Sequence, residues 1–70
     1  MNSSDFEPGL SVIYIPHHAK GDKLHKDCER GIITSTNSKY VFVRFYHCYD
    51  GVCILNPTPQ ACDPDMLIYE

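Results

Sequence analysis

The apolar residues of this chain fall in short runs of β-branched and aromatic side chains, with no helix-period stretch of useful length among them. LSVIYI (10–15), GIITST (31–36), KYVFVRFY (39–46), YHCY (46–49), VCIL (52–55) and MLIY (66–69) are separated by segments rich in Gly, Pro, Asn and Asp. Runs of this kind read as strands and their punctuation as turns. QAC (60–62) is a further short strand candidate, and CDPD (62–65) supplies a turn or a single 3₁₀ turn. Asn37-Ser38 joins the second run to the third as a hairpin, since Asn tolerates positive φ. Asp50-Gly51 signals a second hairpin, of the type whose twist matches its flanking strands.

Seventy residues set one domain near the lower limit for a single core. So many short strands in so small a chain favour a closed barrel, because closure removes exposed edges. The expected fold is therefore all-β, a small five-stranded barrel with a long first loop and an added hairpin. Residues 1–8 are expected to be a flexible N-terminal segment, and 9–70 the single domain. Val41, Val43 and Phe45 alternate with Tyr40, Phe42, Arg44 and Tyr46, so the two sets face opposite ways. The first set is the expected core face, with Val12, Leu67 and either Ile32 or Ile33, depending on the turn length at 37–38.

The glycine before the first strand, the long loop, the sequences GIITS and VFVRF, and the closing MLI together resemble SH3-like folds such as KOW and Tudor domains. HHAKGDKLHKDCERGIITSTNSKYVFVRF followed by QACDPDML also resembles small uncharacterised proteins encoded by phages and prophages. These resemblances imply an SH3-like barrel and a phage accessory protein.

The loop PHHAKGDKLHKDCERG (16–31) concentrates the chemistry: three of the four histidines, one of the four cysteines and most of the basic residues. His25-x-x-Cys28 has ligand spacing, and His17 or His18 can fold back towards it. His18, His25 and Cys28 are thus the candidate metal ligands, with Cys48, Cys53 or Cys62 available to complete a zinc site. No cofactor is otherwise expected. A thiolate–imidazolium pair at Cys28 is conceivable, but no oxyanion feature or phosphate loop accompanies it, so the chain reads as no enzyme. The polar, acidic start MNSSDFEPG carries no apolar run, which points to a cytoplasmic protein of the host cell with reduced thiols.

The net charge of −3 argues against a strongly electrostatic nucleic-acid binder. Lys20, Lys23, Lys26 and Arg30 beside an aromatic strand nevertheless keep a KOW/Tudor-like nucleic-acid role open as an alternative. The leading expectation is a small intracellular module that binds a host or phage protein by steric occupation, with no membrane or small-molecule substrate. Its expected surface is Tyr14, Tyr40, Phe42, Arg44 and Tyr46 with Lys20, Lys23, Lys26 and Arg30, aromatic and Arg residues being enriched at interfaces.

Overall fold

A computed structural model describes residues 2–70. It is all-β, with β1 (Ser11–Tyr14), β2 (Glu29–Thr36), β3 (Val41–Tyr49), β4 (Val52–Leu55), β5 (Gln60–Cys62) and β6 (Leu67–Tyr69). The pairing order is β4-β3-β2-β1-β6, and β5 pairs with β3. Every pairing is antiparallel. The five expected strands are present, and β4 from the added hairpin makes the sheet six-stranded. The expected closure is not made. β5 and β6 pair with β3 and β1 but not with each other. They are three residues each and are joined by the 3₁₀ turn Pro64–Met66, with Asp63 capping Asp65.

The two hairpins turn by different means. Asp50 and Gly51 both take positive φ (50° and 78°), and Tyr49 faces Val52 directly across a two-residue loop. Asn37 works instead through its side chain, whose Oδ1 accepts the amides of Lys39 and Tyr40. The loop there spans 37–40, closed by the Asn37 N–H to the Tyr40 carbonyl, so the expected two- or three-residue turn is corrected. Ile33 lies opposite Val43, with a bulge between Ile33 and Ser35, and it is Ile33 that enters the core while Ile32 stays half-buried.

Val12, Ile33, Val41, Val43, Phe45, Cys62 and Leu67 form one buried cluster. Each large apolar side chain buried there contributes roughly 1.5–3 kcal/mol. Gly31 lets β2 and β3 approach closely: a Cβ at this position would lie 2.5 Å from Val43 Cγ1 and 2.6 Å from the Arg44 carbonyl oxygen.

The N-terminal segment, expected to be flexible, is docked over its described residues. Phe6 belongs to the buried cluster and packs against Tyr69, the ring centroids 5.3 Å apart and the planes tilted by 39°. The Tyr69 hydroxyl donates to the Asp5 carbonyl and accepts the Glu7 amide. Ser3, in the 3₁₀ turn Ser3–Asp5, donates through Oγ to the Asn37 carbonyl. One aromatic side chain anchors an otherwise polar segment, tying the 37–40 loop to β6.

Candidate functional site

β3 carries the expected aromatic surface, and its alternation holds, but the four outward residues do not act as one patch. Tyr40, just before the strand, and Tyr46, past its midpoint, are exposed, while Phe42 and Arg44 between them are half-buried. Arg44 Nε donates to the Asn56 carbonyl at 2.9 Å, which commits the guanidinium to the β4–β5 connection. Lys39 sits over the Tyr40 ring at 5.3 Å. Tyr14 is a correction: it shares the core-facing side with Val12, packs on the buried cluster and meets Phe45 edge-on at 6.1 Å. Ile13 faces the other way and is buried too.

The largest exposed apolar surface on the sheet lies further along the same strand. Past Phe45 the core ends, yet β3 continues to Tyr49 with β4 beside it. Residues paired directly across a hairpin share a face. His47 with Ile54 and Tyr49 with Val52 therefore extend the core face of β3 into solvent. Tyr49, Val52 and Ile54 are 79%, 59% and 65% exposed. On the opposite face Cys48 and Cys53 are joined as a disulfide directly across the strands. The expectation of reduced thiols is corrected for this pair, and neither cysteine is available to a metal. The base of the hairpin is held by Asn56, whose amide donates to the Phe45 carbonyl and whose side-chain amide lies 3.2 Å from His47 Nε2. A sequence signal for this surface existed in the 45, 47, 49 alternation carried through the Asp50-Gly51 turn to 52 and 54.

An open hollow of about 440 Å³ lies between this hairpin and the start of β2, lined by Cys28, Glu29, Arg30, Tyr46, Cys48 and Cys53. Arg30 Nε is paired with Glu70 at 3.0 Å. Lys20, Lys23 and Lys26 are exposed along the first loop, with Lys20 in the left-handed conformation that ends the 3₁₀ turn His17–Ala19.

That loop brings His18, His25 and Asp27 together, their ligand atoms all within 4.8 Å of one another. His18 Nε2 and Asp27 Oδ2 are 2.6 Å apart, and the two imidazoles meet edge-on at 5.3 Å. Cys28, the third ligand expected from sequence, is outside the cluster: its Sγ donates to the Asp22 carbonyl at 3.2 Å. Asp27 takes its place: it lies at the centre of the turn closed by the Cys28 N–H to the His25 carbonyl, and its carboxylate is beside His18. Cys62 is in the core, where burial, with Glu29 adding to it, pushes its thiol from about 9.0 up to about 11. A thiol held neutral in this way is a poor nucleophile and a poor ligand.

No helix among the described residues is long and apolar enough to cross a membrane. Compared with protein-family models, curated proteins and solved structures, the chain matches none.

Proposed function

We propose that this chain is a small protein-binding module that acts by occupying its partner's surface, with the β3–β4 hairpin as the contact element. The carrying observation is the apolar face formed by Tyr49, Val52 and Ile54 on a hairpin that projects past the core and is cross-linked on its other face. A surface of this kind is costly to leave in water unless something covers it. The cross-link reduces the ordering cost that a free hairpin would bring to binding. β4 also pairs with β3 alone among the described residues, so its outer edge offers backbone donors and acceptors to an extended segment. Of the surface expected by sequence, Tyr46 lies on the disulfide face of the hairpin, and Tyr40 lies apart from the contact, just before the start of β3.

The SH3-like reading is part of the same proposal. It is supported by the meander β1-β2-β3-β5, the return of β6 beside β1 and the 3₁₀ turn before the last strand. A phage accessory role acting on a host or phage protein inside the cell rests on the sequence resemblance alone. The nucleic-acid alternative has less beneath it, because Arg30 and Arg44 are engaged within the chain and Phe42 is half-buried.

The test is affinity capture with the native chain and with a Tyr49→Ser/Ile54→Ser variant. A partner retained by the native chain and lost by the variant supports the hairpin surface. Equal retention by both overturns it. A salt titration with single-stranded oligonucleotide tests the alternative, since phosphate binding weakens steeply as salt rises.

A further inference from the structure

The loop between β1 and β2 is folded by consecutive one-turn backbone bonds: Ala19 to Pro16, Lys20 to His17, Asp22 to Ala19, His25 to Asp22 and Cys28 to His25. Apart from Ala19, its side chains are outside the core. A loop of local turns has low intrinsic stability. These turns nevertheless deliver three ligand-type side chains to one point. His18 comes from the 3₁₀ turn, and His25 and Asp27 come from the last turns before β2.

We propose that His18, His25 and Asp27 form a binding site for a divalent transition-metal ion of the zinc class. Two imidazoles and one carboxylate suit zinc and its neighbours, whereas magnesium and calcium take all-oxygen sites. Three protein ligands leave the fourth tetrahedral position to water or to a group from outside the chain. The inference is independent of the hairpin surface and uses none of its residues.

The three residues are already linked to one another, His18 to the Asp27 carboxylate and His25 to the Asp27 amide. Ligand atoms about 2.0–2.1 Å from a tetrahedral zinc are roughly 3.3 Å apart. The His18–Asp27 pair, now at 2.6 Å, opens by less than an ångström, and both side chains are about half exposed and free to move that far. His25 Nδ1 accepts the Asp27 amide at 3.1 Å. An ion taken by Nδ1 displaces that amide, and an ion taken by the other ring nitrogen moves the proton onto Nδ1; either way the Asp27 N–H loses its acceptor. The Asp27 amide is thus the natural reporter. The bound ion would cross-link residues 18 and 27, so that its binding free energy adds to the order of the loop.

The test uses the tag-free full chain, disulfide intact, titrated with Zn²⁺ alone by calorimetry and by ¹H–¹⁵N correlation spectra. The expected result is saturable one-to-one binding, with shifts confined to residues 17–28 and the Asp27 amide among the largest. His18→Ala, His25→Ala and Asp27→Ala should each lower affinity by at least about tenfold. His17→Ala and Cys28→Ser should leave it unchanged. Unperturbed signals from the core strands confirm that each variant is folded. Absence of saturable binding overturns the site. So does binding undiminished in Asp27→Ala, or a loss in Cys28→Ser equal to that in Asp27→Ala.

Discussion

The two halves of β3 carry the same alternating pattern to opposite ends. From Val41 to Phe45 the strand pairs with β2, over Val41–Val43 it has β5 on its other side, and its inner residues are the core. From Tyr46 to Tyr49 it pairs with β4, and the residues continuing that inner face are in water. Alternation therefore reports which residues share a face. Whether the face is covered depends on what the rest of the chain places over it. In the first half the cover includes Phe6 from the N-terminal segment and Leu67 from β6. In the second half no described residue supplies it, and the Cys48–Cys53 disulfide links the two strands on the other face.

Substitution along this one face is the sharpest way to break the comparison. Phe45→Ala should cost about 3–5 kcal/mol, comparable to the whole core contribution of a domain this small. Tyr49→Ala, four residues on and on the same face, should stay within about 0.5 kcal/mol. Chemical denaturation of the two variants reads the contrast directly. A loss at Tyr49 approaching that at Phe45 would mean the hairpin face is packed, and the binding proposal would fail with it.

Gly31 tests the core half from the neighbouring strand. A methyl group there meets the Arg44 backbone carbonyl as well as Val43, and a backbone atom yields less easily than a side-chain end. Gly31→Ala should cost roughly 1–3 kcal/mol by this overpacking. Nothing of the kind is expected at Gly51, where a Cβ would meet no atom within 4 Å and the cost comes only from its positive φ.

The disulfide is the corresponding test of the outer half. Reducing Cys48–Cys53 removes a constraint of about 2 kcal/mol by the chain-entropy argument for so short a loop. Because the hairpin tip lies beyond the core, that loss should appear locally. Amide exchange should accelerate over residues 46–55 and stay slow in Val41–Phe45. Uniform acceleration would show that the two halves unfold as one unit.

Most of the architecture was legible because short chains punctuate heavily. The Asp50-Gly51 and Pro64–Met66 turns sit where turn chemistry places them, and each strand falls on an expected run, with 39–46 and 46–49 joined as one strand and β2 starting two residues early, at Glu29. The residues that escaped were those whose role depends on tertiary cover. Phe6 in MNSSDFEPG has no periodic neighbours, so its burial under β6 left no local trace. Tyr14 escaped because β1 is buried on both faces, at Val12 and at Ile13, so burial alone does not mark which face is the core. The candidate ligand set was half legible: His18 and His25 were visible as types and spacing, whereas exchanging Cys28 for Asp27 depends on turn geometry within the loop.

The cysteines restate the comparison chemically and give it its smallest measurable form. Cys62 belongs to the covered half, where burial raises its thiol to about 11. A group protonated more readily when folded stabilises the fold fully below its unfolded value near 9.0, and that contribution fades as pH rises through 9 towards 11. Between about pH 8 and pH 11 the native chain should therefore lose on the order of 1–2 kcal/mol more than a Cys62→Ala variant, whose buried methyl does not titrate. Lysines and tyrosines that titrate in the same range are common to both chains and cancel in the difference. A difference that stays flat with pH would mean that Cys62 meets water, and that the cluster around Val41 and Leu67 is open on the side where β5 and β6 do not pair.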